Sequence, residues 1–325
     1  MTKLKYPDLH PALLGHINEF KAWSDGQLAA MEALNKVSVP LYHYTDAAGL
    51  EGIVKNQHIW FTHYLHLNDP SELTYGMSIA SKVLKEISQR GDVRIEFFCK
   101  MLDDLFTHKN MESAFGFYIA SFSRAPNDLG QWRAYGADGK GFALGLAPHL
   151  FHVVDKTDRK PHENVFFSPV VYGEQAGRAR QQAAIEKCTS IVAATADRAA
   201  DLMRDRTIGL PFLKAMATEL MASQMIWNSL TIKHEAYAHE EEVRLVIVGG
   251  VEALQPYVST RARGSEIVPF IKSDMAIQDK DSIVEVVVGP SAPPTAEDGL
   301  KALLRPFHGD PDAIINRSDI PYRGR

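Results

Sequence analysis

A chain of 325 residues with 45% hydrophobic and 23% charged residues has the balance of an ordinary globular protein, which excludes intrinsic disorder and a collagen-like fibre. Thirty-five Lys and Arg against 40 Asp and Glu give a formal charge of -5, so any polyanion must be met by a local basic pocket rather than by the surface as a whole. The length suits one large domain or two smaller ones.

Cys99 and Cys188 stand alone in segments that read as amphipathic helices, without the CxxC spacing of zinc or redox sites, and are expected to be reduced and buried. The opening MTKLKYPDLHP lacks the apolar region of a secretory leader, and no stretch approaches the roughly 18 apolar residues of a membrane span. A cytoplasmic protein without a membrane partner is the expectation.

In chain order, residues 1–38 read as a helical segment. LYHYT at 41–45 is a strand, Asp46 a cap, and Ala47, Leu50, Ile53 and Val54 the apolar stripe of a short helix. HIWFT at 58–62 is a second strand, followed by helices from Asp69 and from Val93 to Phe106. Strands are expected at 115–123 and 141–146, with a capped helix at 128–135 between them and the turn Asp138-Gly139 before the second. After a strand near 165–172, residues 177–206 and 211–236 read as two long helices. Strands return at 241–248, 256–260, 266–271 and 283–288, before a last helix near 297–304. Because these later strands follow one another through short turns, the expected fold is α+β with a twisted, largely antiparallel sheet. Residues 39–325 read as one such domain, with a helical insertion at about 173–238.

His43 closes a strand just ahead of a helix N-terminus, where an anionic ligand can settle; the alternative is a structural histidine beside the capping Thr45 or Asp46. Asn68-Asp69-Pro70-Ser71-Glu72 explains itself as a capping box, with Asp69 as N-cap, Pro70 first in the helix and Glu72 third. His58, His63 and His66 crowd nearby but lack the Glu of a helical HExxH site, and no metal is expected.

Strand periodicity puts Ser121 and Ser123 on one face after Phe117 and Ile119, as ligand-binding or backbone-bonding hydroxyls rather than nucleophiles, since no GxSxG elbow surrounds them. Trp132 and Tyr135, three apart on a helix, either pack in the core or stack on a flat heterocycle. In Glu240-Glu241-Glu242-Val243-Arg244, Val243, Leu245 and Ile247 make one apolar strand face while Glu240, Glu242 and Arg244 line the other. That pattern is either a Glu-Arg ladder or a catalytic carboxylate aligned by Arg244.

HYT at 43–45, NDPSE at 68–72, ASFS with QWRAYG at 120–136, GFALGL at 141–146, EEEVRL at 240–245, IVEVVVGP at 283–290 and SDIPYR at 318–323 together resemble the bacterial domain-of-unknown-function family 2971. The helical stretch 173–238 reads as what this chain adds to that pattern. A second resemblance is to ADP-ribosyltransferases, which present in chain order a first-strand His or Arg, a middle-strand Ser-x-Ser or Tyr, and a late Glu, often as Glu-x-Glu. By it the sheet would be split. NAD would be the substrate, held by His43 with Tyr44 and Thr45 beside it, by Ser121 or Ser123 at the nicotinamide, and by Trp132 or Tyr135 as a stacking wall. Glu242 or Glu240 would act at the ribose, with Arg244 aligning it. The resemblance departs from either pattern by mixing His with Ser-x-Ser. It implies transfer to a nucleic-acid or protein acceptor, as in a toxin or phage-defence effector. The competing expectation is a nucleotide-sensing or protein-interaction module with a regulatory protein partner and no turnover. A third, metal-dependent hydrolysis through Asp69, Glu72 and Asp128, yields to their reading as helix caps.

Overall fold

A computed structural model of the chain describes residues 9–34, 37–67, 71–107, 115–151, 160–275, 277, 279 and 281–324. Asn68, Asp69 and Pro70 of the expected capping box lie outside the described residues, as does the side chain of Glu72; the helix there begins at Ser71. The architecture is mixed α+β with a largely antiparallel open sheet. Among the described residues no helix is long and apolar enough to cross a membrane.

The chain divides into two compact units, one from Met1–Leu34, Asn68–Phe115 and Val171–Glu235, the other from Asn35–Leu67, Gly116–Val170 and Ala236–Arg325. The strands in chain order are β1 (Leu41–Thr45), β2 (His58–His63), β3 (Phe115–Ser123), β4 (Phe142–Leu146), β5 (Val165–Pro169), β6 (Val171–Tyr172), β7 (Ile232–Lys233), β8 (Glu242–Gly250), β9 (Val258–Arg263), β10 (Glu266–Asp274), β11 (Ile283–Val288) and β12 (Ile315–Arg317).

The first unit is helical. Helices Leu14–Leu34, Ser71–Ser88, Val93–Thr107 and Glu174–Arg198 pack with the 206–230 stretch around Phe20, Phe98, Ile185, Phe212 and Met225. The residues 1–38 and 173–238, which the sequence sets apart, thus contribute helices to one core together with residues 68–115. Both cysteines are buried there as free thiols, and burial pushes them up, Cys99 to about 11. The two long helices expected at 177–206 and 211–236 are shorter pieces. The first stops at Arg198, and a new one starts at Arg206 because the Asp205 carboxylate accepts from both Thr207 N and Thr207 Oγ1 as its cap. After π-helical turns at Met216–Met221 the last helix ends at Leu230, and the following residues form β7, paired with β6.

The second unit is the sheet, hydrogen-bonded in the order β12-β11-β4-β1-β3-β2-β10-β9, with β8 pairing both β3 and β5. β11 and β12 run parallel, and β12 is a strand the sequence pattern did not announce. The turn into β4 is the expected one, Asp138 and Gly139 both taking the left-handed conformation at φ 55° and 81°. One face carries the main core, with Leu41, Ile59, Phe61, Phe122, Leu144, Val243, Leu245, Ile271 and Val286. A smaller cluster of Tyr42, Tyr44, Trp132, Ala143 and Val287 covers the other face at β1, β4 and β11.

β3 decides where a site can form. It has two edges but three partners: β1 meets it at Tyr42↔Ser123, β2 at Thr62↔Ile119 and His63↔Tyr118, and β8 pairs it as well. Strands with two edges cannot hold three partners along one stretch, so two of them share one edge in succession and part near Ala120–Phe122, a local split within one hydrogen-bonded sheet.

Candidate functional site at the split of the sheet

His43 stands at the split. Its Nδ1 lies 3.0 Å from the Ser121 carbonyl oxygen. A carbonyl only accepts, so Nδ1 carries the proton and Nε2 of the neutral ring is an acceptor. Burial, and to a lesser degree the charge of Arg261, hold the imidazole below its ordinary pKa against the stabilising bond to Ser121. Its ring packs on Phe122, with centroids 5.5 Å apart. Asp46 caps the following helix, Ala47–Asn56, by accepting from Gly49 N at 2.7 Å. Thr45 lies over that first turn so closely that a Cβ on residue 49 would run into its hydroxyl.

Alternation along the strands assigns the faces. Tyr42 and Tyr44 of β1 share a face with Ser121 and Ser123 of β3, while Leu41, His43 and Phe122 belong to the main-core face. On β8 Val243, Leu245 and Ile247 are in that main core, so Glu242 and Arg244 stand on the face of Ser121 and Ser123. The three motif strands are therefore hydrogen-bonded neighbours, β1 to β3 and β3 to β8, but the His43 side chain is on the opposite face from the serines and Glu242. It reaches Ser121 through the backbone.

Ser123 is buried and fully occupied. Its Oγ donates to the Glu240 carbonyl at 2.6 Å and accepts from Ala125 N at 2.9 Å. Arg124 N donates to the Glu241 carbonyl at 3.1 Å, and Glu241, exposed, turns the chain into β8 with φ 43°. Ser123 is thus a stitch between β3 and the residues entering β8. Ser121, half-buried, offers the freer hydroxyl.

Glu242 and Arg244 form a bidentate pair, Nε to Oε1 at 2.7 Å and Nη2 to Oε2 at 3.0 Å, with side chains only 6% and 3% exposed. Glu240 is buried too. Both alternatives drawn from the sequence meet here, since the fork that pairs Glu242 also fixes both of its oxygens.

Trp132 corrects the stacking-wall expectation. It is completely buried, donates through Nε1 to Asn127 Oδ1 at 2.8 Å, and meets Tyr44 edge-on at 4.8 Å. Tyr44 is likewise a core residue, its hydroxyl donating to Ala125 O and accepting from Asp128 N while burial pushes its pKa up. An indole that must hide its N–H bond and its faces in the core has none to offer a ligand. Tyr135, half-buried, closes the helix Leu129–Ala134 and packs against the same cluster.

Arg261 on β9 was missed by the sequence reading. Its Nη2 donates to Thr62 Oγ1 at 3.1 Å, and its Cζ lies 5.1 Å from the Trp60 ring and 5.9 Å from Phe270. Trp60 and Phe270 stack at 4.4 Å. Burial lowers the pKa of Arg261, as does Arg263, while Asp46 raises it. The only sequence signal was a second charge, at i and i+2, along one face of a short strand.

The fold and site define a mixed α+β protein whose largely antiparallel sheet carries, on neighbouring strands, a histidine on one face and serines with a buried Glu-Arg pair on the other. Residues 131–245 match the model of a family described as protein of unknown function (DUF2971), the family its motifs resemble. No curated protein and no solved structure matches the chain. The matched span takes in Trp132, Tyr135, Glu240, Glu242 and Arg244, and the helical stretch 173–238 lies inside it.

Proposed function

We propose that the protein is an ADP-ribosyltransferase-like enzyme that binds NAD at the split of its sheet and transfers ADP-ribose to a nucleic-acid or protein acceptor, as a toxin or defence effector would. The observation that carries the reading is the adjacency of β1, β3 and β8, which bear His43, Ser121-Phe122-Ser123 and, at the entry to β8, Glu240-Glu241-Glu242, although 78 to 199 positions separate these residues in the chain. His43 faces away from Glu242, so in this reading Ser121 and Glu242 meet the ribose on one face while the His43 Nδ1–H bond to the Ser121 carbonyl fixes the β3 backbone from the other.

In the reaction the bond between nicotinamide and ribose C1 breaks, nicotinamide leaving with the electron pair. The acceptor's nucleophile bonds to C1 and its proton passes to a carboxylate. A carboxylate also stabilises the positive charge growing on C1, the role assigned to Glu242 with Arg244 as its positioning residue.

The second reading, a nucleotide-binding module without turnover, draws on the same Glu242–Arg244 pair: a carboxylate with both oxygens bonded and little exposure is already satisfied. Incubation with NAD, with and without DNA, RNA or protein acceptors, separates the two. On the transferase reading nicotinamide is released, and Glu242→Gln keeps NAD binding while slowing release at least about a hundredfold. Release by Glu242→Gln at the parental rate sinks the transferase reading. NAD binding without release under any acceptor supports the module.

A further inference from the structure

We propose that Arg261 anchors a subsite for the phosphate or pyrophosphate of a nucleotide, beside the split of the sheet. The guanidinium is held from three sides, by the Thr62 hydroxyl at 3.1 Å and by the rings of Trp60 and Phe270. Such clamping removes the rotamer freedom that an arginine otherwise loses on binding, and the fork is presented ready-made. What the clamp does not supply is an anion. Among the described residues Arg261 forms no ion pair, and its Nε is buried with no hydrogen-bond partner. The acidic group that acts on it, Asp46, has its carboxylate accepting from Gly49 N at 2.7 Å.

A half-buried cation with an unfilled donor is costly unless something completes it. Contrast Arg244, whose Nε and Nη2 are both filled by Glu242. A phosphate offers the guanidinium fork two oxygens and keeps further oxygens for neighbouring hydroxyls, which a carboxylate lacks. Thr62 pairs with Ile119 on β3, which puts Ser121, two residues along, on the same face as Thr62. Trp60, 41% exposed, keeps the rim of this place open to solvent. The subsite requires no glycosidic cleavage and stands whether or not the protein turns NAD over.

Titration calorimetry on the full chain tests it with ADP, inorganic pyrophosphate and adenosine as probes. ADP and pyrophosphate should bind the parent. Arg261→Gln should weaken both at least tenfold, and Arg261→Lys, which keeps the charge but not the fork, should fall between; adenosine should be indifferent to either change. Arg263→Gln, on the same strand but paired on the surface with Glu266, is the control and should leave ADP affinity within about twofold. Circular dichroism melts verify that the variants fold. Parental affinity in Arg261→Gln, equal losses in Arg263→Gln, or no binding of either phosphate probe by the parent would overturn the proposal.

Discussion

Each unit of the protein buries an arginine and a set of polar side chains, and they are satisfied in different ways. In the helical unit Arg180 donates through Nη1 to Thr231 Oγ1 at 2.6 Å and to the Thr231 carbonyl at 3.1 Å. Burial lowers it to about 10. Around it neutral amides close on one another: Gln181 Nε2 donates to Ser229 Oγ, Asn228 Nδ2 to Gln181 Oε1, and Gln224 Nε2 to Asn228 Oδ1. Ion pairs of this unit, such as Lys82–Glu174 and Arg90–Glu186, lie at the surface. In the sheet unit a full ion pair, Glu242–Arg244, is buried in the sheet, and Arg261 keeps an unfilled donor. A closed neutral network asks for nothing more than its own partners, whereas buried charge persists only where it is paired or put to use. The difference marks the sheet unit as the place where a ligand is to be sought.

The sharpest break of this comparison comes from the buried pair. Arg244→Ala removes the bidentate partner of the buried Glu242 carboxylate and should cost about 3–5 kcal/mol in urea unfolding, whereas Glu242→Leu with Arg244→Met should recover most of it. If Arg244→Ala changes stability by less than about 1 kcal/mol, the pair is solvated and the contrast between the units fails. Arg180→Met removes a charged donor from the Thr231 oxygens, which keep their bonds to Val171 N and to the Trp227 and Asn228 carbonyls, for a smaller loss of about 1–3 kcal/mol by the same assay.

Packing in the helical unit can be probed at Gly76, where an added Cβ would lie 2.5 Å from Ser229 Cα. That neighbour is backbone, so Gly76→Ala should push the two helices apart and cost about 1–3 kcal/mol. The sheet unit carries the histidine part of the acid limb of stability. Burial lowers His63 to about 4 and His43 below its ordinary value. The folded state therefore binds fewer protons than the unfolded chain below the ordinary histidine value of about 6.5. Stability is complete above that value and falls as the pH drops toward about 4, and His63→Gln should flatten the slope in denaturation curves taken across this window. The smallest effect is expected at Asp46→Ala, about 1 kcal/mol for the lost cap. The same change removes a carboxylate acting on Arg261, so pyrophosphate should bind the variant at least as tightly as the parent.

Much of the sheet was legible because strand periodicity and turn chemistry are local. LYHYT, HIWFT and the Phe115–Ser123 strand occur where alternation and the caps at Asp46 and Asp128 put them. The even-odd split of Glu242 and Arg244 from Val243 and Leu245 was readable too, since a strand has only two faces. The 211–236 helix was read too long because composition favours helix throughout, while Asp205 capping and the pairing of Ile232 with Val171 are decided by particular contacts. Trp132 read equally well as wall or core, for its helix face says nothing of what covers it. Arg261 was invisible for the opposite reason: the rings that clamp it come from β2 and β10, and β2 is about 200 positions away in the chain.

By itself the sequence determined the elements, the polarity of their faces and the family resemblance, because spacing, caps and turn residues act within a few positions of one another. Only the tertiary structure decided that three strands compete for the two edges of β3, that the resulting split holds a neutral histidine, and that Glu242 is gripped by Arg244 while, among the described residues, Arg261 is not gripped by any carboxylate. Those outcomes depend on which groups lose water together, and burial is a property of the packed chain rather than of any segment of it.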